Sequence, residues 1–297
     1  MFEKFLNNRL ILLYLLPMCL GLVTVFSFQP FNLVLINFFV LPALFLLLSY
    51  VKKKSKSTYR KKPYRKNLFL IGFTFGFGFY LSGIFWITYS LTFDDNFKFL
   101  IPFALLLIPL FLALFFGITT LIVGQYLNNN LSSLLLFSGS FALSDYIRAK
   151  ILTGFPWNLW GYTWSWLLEV LQILNLFGLF AFNLFAITIF TIPAVFFFKN
   201  TIYKKILIIS TSFIFILIIY IYGSFSINNN KILLNNIQKN KKIYTKVVSP
   251  NFDLTYFASI EDIKNKLKKL VKYSEPDPQK ETLFIWPKGV FTGYNYD

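Results

Sequence analysis

The 297-residue sequence contains no histidine and only one cysteine, Cys19. Without histidine the chain can form neither a Ser-His-Asp triad, nor a Cys-His pair, nor a histidine-ligated metal site. A single cysteine excludes an internal disulfide. Because Cys19 lies inside the first apolar run, where burial disfavours the thiolate, we interpret it as a packing residue.

Charged residues, and acidic ones above all, are also scarce. Only 14% of the residues are charged, with 12 Asp and Glu against 29 Lys and Arg, whereas 56% are hydrophobic. Together with a mean hydropathy of +0.61, the long apolar runs indicate a polytopic membrane protein. The net charge of +17 is concentrated between the runs, where it sets membrane topology, so we do not expect nucleic-acid binding.

Seven apolar runs predict an α-helical membrane domain, residues 1–225, with about seven spans. The spans are expected at residues 10–28, 33–50, 68–91, 100–127, 131–147, 171–198 and 206–222. The first run is longer than the apolar region of a typical signal peptide, and no small-residue cleavage site follows it, so a retained span is favoured.

The distribution of Lys and Arg predicts how this domain lies in the membrane. Basic residues cluster at the N-terminus, at residues 51–67 and at residues 199–205, which share one side if the seven spans alternate. The positive-inside rule then predicts a cytoplasmic N-terminus. Residues 148–169 and everything beyond residue 223 are expected on the opposite face.

The composition changes after the last apolar run. Residues 226–240 are rich in Asn and Lys and predict a linker, and residues 241–297 predict the start of an α/β domain. Residues 243–249 and 282–286 are rich in strand-forming residues, and the apolar residues between 255 and 273 have the spacing of one helix face. Roughly 70 residues are marginal for an independent core, so we expect this domain to be incomplete in the sequence.

The stretch between the fifth and sixth apolar runs is neither a clean span nor an ordinary polar loop. Asp145 and Arg148 close the fifth run, and Gly154 and Pro156 then stop the helix and impose a turn. The residues around the turn are typical of a membrane–water interface, namely Trp157, Asn158, Trp160 and Tyr162.

Each of these residues has a structural interpretation beside a functional one. Trp157, Trp160 and Tyr162 are aromatics of the interface belt in the structural interpretation; the functional one, that Trp157 lines a substrate entry, is implied only by the family resemblance given next. Arg148 either snorkels, holds a phospholipid phosphate, or supports the loop through Asp145 one turn away. We favour the last of these three roles.

Three stretches together resemble the bacterial apolipoprotein N-acyltransferases, in which a helical membrane domain precedes a periplasmic nitrilase-like domain. Residues 28–32 (Phe-Gln-Pro-Phe-Asn) are similar to the turn after the family's first span, and residues 282–287 to the strand that ends in Trp-Pro-Glu. The most distinctive similarity is to the motif of the membrane domain and comprises Arg148, Thr153, Gly154, Phe155, Pro156, Trp157, Gly161 and Tyr162.

The resemblance implies an enzyme of the bacterial inner membrane that matures lipoproteins. Such an enzyme moves a fatty acyl group from a phospholipid to the N-terminal amine of a diacylglyceryl-cysteine apolipoprotein. The implied partners are these two substrates and the membrane, without cofactor, metal or nucleic acid, and we expect a monomer. The substrate-binding residues implied are Arg148, Gly154, Phe155, Pro156, Trp157 and Tyr162.

The family's mechanism uses a Glu, a Lys and a Cys. The Glu takes the proton of the Cys thiol, the thiolate forms a thioester with the acyl group, and the Lys stabilises the oxyanion. Here Lys288 stands at the position of the Glu, and Cys19 cannot replace the nucleophile because it lies in a predicted span. A Lys with a pKa of about 10.4 is a poor base, so we expect this sequence to be inactive as it stands, as a fragment, a degenerate copy or a sequencing variant.

Two other functions remain open at this stage. One is a non-catalytic membrane scaffold or a transporter-like remnant, although Asp145, Arg148 and Glu169 are predicted near interfaces rather than at mid-bilayer, which disfavours transport. The other is a different membrane-anchored nitrilase-like enzyme, which the membrane-domain motif disfavours.

Overall fold

The computed structural model describes residues 8–54, 64–151, 154–238, 244–252 and 259–287. The chain divides into two compact units, Met1–Ile227 and Asn228–Asp297. This division falls close to the predicted end of the membrane domain at residue 225.

The first unit consists of helices, as its apolar composition requires, because a backbone in lipid has to satisfy its own hydrogen bonds. They are α1 (Leu16–Thr24), α2 (Asn37–Lys54), α3 (Tyr64–Gly83), α4 (Ile101–Val123), α5 (Leu131–Arg148), α6 (Leu168–Leu171), α7 (Leu174–Thr191) and α8 (Ile202–Gln238). A π-helical turn precedes α1 at Ile11–Leu15, and 3-10 segments occur at Val25–Ser27, Val34–Ile36, Phe85–Thr92, Asp95–Leu100, Trp160–Trp164 and Ile192–Phe197.

Four helical stretches of the described chain are long and apolar enough to cross a membrane: Val34–Lys54, Asp95–Val123, Leu174–Phe197 and Ile202–Asn236. A fifth candidate combines α3 with Phe85–Thr92, across a bend of 44°. The first predicted span corresponds to a shorter apolar helix, Ile11–Ser27, and the fifth to α5, whose last turn carries Asp145 and Arg148. A helical membrane domain is thus present, and the count of seven spans remains a prediction.

Three predicted boundaries differ from the observed helices. The third run is broken after Gly83, and the sixth is broken at Gly178, whose φ of 75° lies in the left-handed region. The predicted linker at residues 226–240 is helical as far as Gln238, because α8 continues through it. Residues 224–240 contain neither Gly nor Pro, so nothing in the sequence stops the helix.

Helices α3 and α4 approach closely enough to require glycine. A Cβ atom at Gly72 would lie 2.0 Å from Thr120 Oγ1 and 2.6 Å from the carbonyl oxygen of Phe116. The Thr120 hydroxyl donates to the carbonyl oxygen of Leu68 at 2.9 Å. Small residues at the contact are how helices pack in lipid, where no hydrophobic effect drives them together.

The second unit contains one strand–helix–strand motif. Strand β1 (Tyr244–Val247) pairs in parallel with β2 (Thr282–Ile285), and α9 (Ile260–Ser274) connects them. Its small core consists of Val248 and Leu270, against which Phe252 and Phe284 pack. The elements are those that the sequence predicts here, whereas a nitrilase-like fold remains a proposal.

Candidate functional site

A buried ion pair lies at the C-terminal end of α5. Asp145 is 3% exposed and Arg148 is 2% exposed, and Arg148 Nη2 lies 3.0 Å from Asp145 Oδ1. The guanidinium carbon also lies 5.4 Å from the centre of the Tyr80 ring. Arg148 therefore does not snorkel to the membrane surface, and its predicted partnership with Asp145 is confirmed.

Arg148 also holds the chain that follows α5, which we call the motif loop (residues 154–162). Its Nη1 donates to the carbonyl oxygens of Phe155 and of Trp157, the latter at 2.9 Å. Because carbonyl oxygens accept strongly from a charged donor, one guanidinium fixes the loop at two points while its other side binds Asp145.

Asn183 on α7 completes this network, and the sequence analysis missed it. Its Nδ2 donates to Asp145 Oδ2 at 2.9 Å, and its Oδ1 accepts from the backbone N–H of Gly161 at 3.0 Å. Both carboxylate oxygens of Asp145 thus have partners, and the far end of the motif loop is tied to α7. An amide inside an otherwise apolar run was the available signal, since such a group needs a partner when it is buried.

The backbone of the motif loop depends on the predicted turn residues. Gly154 has a φ of 77°, and a Cβ there would lie 2.5 Å from the carbonyl oxygen of Ala149. The hydroxyl of Tyr162 donates to the carbonyl oxygen of Pro156 at 3.1 Å, which closes the turn. Partial burial raises the pKa of Tyr162 above the ordinary tyrosine value. Thr153 lies outside the described residues.

The aromatic residues of the motif do not all lie at the surface. Trp160 is completely buried and stacks on Phe79, with ring centres 5.4 Å apart and planes within 4°. Trp157 is 51% exposed. Its ring packs edge-to-face with that of Trp86, with ring centres 5.4 Å apart. The interpretation of Trp160 as an interface aromatic is therefore wrong, because its ring fills the helical core.

Trp157 and Tyr162 line a cavity of about 730 Å³. We call it the aromatic cavity; its wall also includes Phe28, Gln29, Pro30, Phe31, Phe85, Trp86, Asn158 and Ser165. The 28–32 turn and the motif loop, far apart in sequence, thus meet at one site, and Gln29 Nε2 donates to Ser165 Oγ at 3.3 Å. Arg148, Gly154 and Phe155 instead border a separate cavity against α4.

Lys288, which stands at the position of the family's general base, lies outside the described residues. In the described part of the chain, no group of three or more His, Cys, Asp or Glu residues could hold a metal ion. The first unit places an apolar aromatic wall beside a hydrogen-bonded loop.

Apolar helices long enough to cross a bilayer, with a loop held in place by a buried ion pair, define a helical membrane protein. Residues 20–192 match the family model described as the apolipoprotein N-acyltransferase N-terminal domain. The chain belongs to the apolipoprotein N-acyltransferase family. Both the 28–32 turn and the motif loop lie inside the matched region.

Individual relatives agree with this assignment. The apolipoprotein N-acyltransferase of Rickettsia bellii is 32% identical over 252 residues, which are 84% of this chain and 47% of the relative. That of Rickettsia prowazekii is 30% identical over 258 residues, 86% of this chain and 49% of the relative. That of Brucella melitensis is 33% identical over 168 residues, 56% of this chain and 31% of the relative. The chain spans about half the length of its rickettsial relatives.

Proposed function

We propose that the chain supplies the substrate-binding membrane domain of a phospholipid-to-apolipoprotein N-acyltransferase. The observation that carries the proposal is the meeting of the 28–32 turn and the motif loop at the aromatic cavity. Both stretches lie in the region matched by the family model, and their side chains form one apolar wall.

The geometry suggests a different contribution from each proposed binding residue. Trp157 and Tyr162 present ring surface to the aromatic cavity, as an acyl chain or a lipid-modified cysteine requires. Gly154 and Pro156 fix the turn that presents them, and Arg148 holds that turn through the carbonyl oxygens of Phe155 and Trp157. Arg148 is thus a positioning residue for the motif loop, and Phe155 acts through its backbone.

The proposal includes the orientation and the domains that the sequence predicts. We infer seven spans in a bacterial inner membrane, a cytoplasmic N-terminus and a periplasmic second unit. The parallel strand–helix–strand motif is compatible with the beginning of a nitrilase-like domain. No cofactor is required, since acyl transfer through a thioester needs only a nucleophile, a base and an oxyanion donor.

Lys288 supports a second candidate, a non-catalytic member of the family. With Lys at the position where the resemblance implies a general base, we expect poor activation of a thiol nucleophile, because Lys with its usual pKa of about 10.4 is already protonated at neutral pH. A scaffold or transporter-like remnant would keep the fold and the loop but would have no need for a lipid in the aromatic cavity.

The test is lipid binding by the purified chain in bilayer nanodiscs of phosphatidylethanolamine. Lipid with brominated acyl chains quenches tryptophan fluorescence on contact, so the difference between the chain and its Trp157→Ala variant reports the aromatic cavity. We expect saturable quenching of the Trp157 signal and an affinity at least tenfold weaker in a Trp86→Ala variant, which loses one wall.

Trp166→Ala provides the matched control, because Trp166 is also 51% exposed but is not part of the cavity wall. Quenching that rises linearly with brominated lipid, equally for Trp157 and Trp166, would contradict the proposal and favour the scaffold.

A further inference from the structure

A second concave surface lies between α4 and α5, away from the aromatic cavity. It consists of two adjoining cavities of about 310 and 320 Å³ that share Phe115 and Ile151 in their walls. We call this surface the α4–α5 groove. On α4 its wall extends from Leu107 to Val123, a length of about 24 Å at the usual helical rise.

The groove is open to the exterior of the first unit. Leu107, Ile118 and Leu143 on its borders are all more than two-fifths exposed, and α4 belongs to a candidate membrane span, Asp95–Val123. The lining is mostly apolar, and the wall faces hydrocarbon. Filling the groove with water would therefore carry a large free-energy cost. An empty groove is also unfavourable, because its lining atoms would lose their dispersion contacts. An acyl chain of the bilayer is the occupant that the environment supplies.

One end of the groove is polar. Arg148, Gly154 and Phe155 line it there, and Arg148 Nε is buried without a hydrogen-bond partner among the described residues. A buried charged donor of this kind is expected to have an acceptor. The ester carbonyl of a glycerolipid lies at the head of the acyl chain and has the required chemistry.

We propose that the α4–α5 groove is a binding site for one resident glycerophospholipid, whose acyl chain lies along α4 and whose ester carbonyl accepts from Arg148 Nε. This lipid is distinct from any lipid in the aromatic cavity, because the two sites have no lining residue in common.

The resident lipid is linked to the motif loop. Arg148 and Phe155 form the polar end of the groove, and the same guanidinium holds the carbonyl oxygens of Phe155 and Trp157. A ligand that binds only when this loop is folded stabilises the folded loop by mass action. Occupancy of the groove therefore reduces opening of the loop that lines the aromatic cavity.

The test is native mass spectrometry of the delipidated chain, titrated in detergent with phosphatidylethanolamine that carries palmitoyl and oleoyl chains. A Leu143→Trp variant narrows the groove from its exposed edge, and Leu135→Trp adds the same bulk on the same helix outside it. The two leucines are 57% and 52% exposed, so neither substitution disturbs the core. We expect one saturable lipid in the groove, bound at least tenfold more weakly by Leu143→Trp and unchanged in Leu135→Trp.

A second variant, Ser140→Phe, fills the floor of the groove and is expected to have the same effect. Hydrogen exchange provides a second readout: the lipid should slow exchange in residues 154–162 of the unsubstituted chain but not in Leu143→Trp. Equal lipid binding by Leu143→Trp and Leu135→Trp overturns the proposal.

A Trp157→Ala variant separates this proposal from that of the aromatic cavity. It should keep the groove lipid while it loses the quenching signal described above. If Trp157→Ala removes the saturable lipid that Leu143→Trp retains, the lipid belongs to the aromatic cavity and the resident-lipid proposal fails. If Trp157 shows no quenching but the groove lipid is retained, the proposed function fails and the resident lipid stands.

Discussion

At the scale of single residues, the pair of Asp145 and Arg148 determines whether the motif loop has a fixed position. Both side chains are almost fully buried, so each depends on the other to remain charged without a large cost. The sequence suggested the partnership from spacing alone, because two residues three apart on a helix are neighbours. It did not reveal that the guanidinium also donates to the carbonyl oxygens of Phe155 and Trp157, since their positions depend on a turn that only the folded chain defines.

Removal of the carboxylate should destabilise the first unit strongly. We expect Asp145→Ala to cost about 3–5 kcal/mol, because it leaves Arg148 as a buried charge without its counter-ion. The control is Asp95→Ala, which removes a pair with the same spacing to Lys98 at the surface. Thermal unfolding of the purified chain in detergent measures both, and similar melting temperatures for the two variants would contradict the structural role assigned to Asp145.

Replacement of Asn183 should destabilise the first unit less than replacement of Asp145, and its effect can be measured separately. Asn183→Ala leaves the N–H of Gly161 and one oxygen of Asp145 without partners, which should cost about 1–3 kcal/mol. Asn175→Ala on the same helix is the control, because Asn175 is exposed. Hydrogen exchange should rise at Gly161 in the first variant only; unchanged exchange there would show that Asn183 does not hold the loop.

At the scale of elements, helices were easier to predict than their ends. Apolar composition located every long helix of the first unit, because lipid leaves few alternatives to a helix. The breaks after Gly83 and at Gly178 were not predicted, because a single glycine is tolerated inside a helix as well as at its end. The extension of α8 through residues 226–238 shows that Asn and Lys do not stop a helix already formed. In the second unit, the two strands were predicted from their content of strand-forming residues, and the helix between them from the spacing of its apolar residues.

The first turn of α9 should become less stable at low pH. The Ser259 hydroxyl and backbone N–H both donate to Asp262 and hold its pKa below the ordinary value. A carboxyl with a depressed folded pKa contributes stability above its unfolded pKa and loses it as the pH falls through the folded pKa. Hydrogen exchange in the first turn of α9, corrected for intrinsic rates, should increase as the pH falls below the usual carboxyl range. An Asp262→Asn variant should lack this pH dependence. If the pH dependence persists in that variant, it arises from another titratable group.

At the scale of the whole molecule, the site joins segments that no local pattern connects. The 28–32 turn and the motif loop are separated by more than a hundred residues, and they meet at α3, where the ring of Phe79 contacts both Phe28 and Trp160. Resemblance to a family identified both segments individually, but their common cavity required the fold. Asn183 was missed for the same reason, because its two partners lie on α5 and in the motif loop.

The spacing of the buried ion pair also has a consequence for the span that the sequence predicts at residues 131–147, which corresponds to α5. Asp145 and Arg148 are one turn apart on the same helix, so their charges cancel as soon as that turn forms. A charged side chain alone is expensive to place in a membrane, whereas a helix that carries both members of the pair partitions as an electrically neutral segment. Since Asn183 is synthesised later, α5 can be inserted before its final partner on α7 exists.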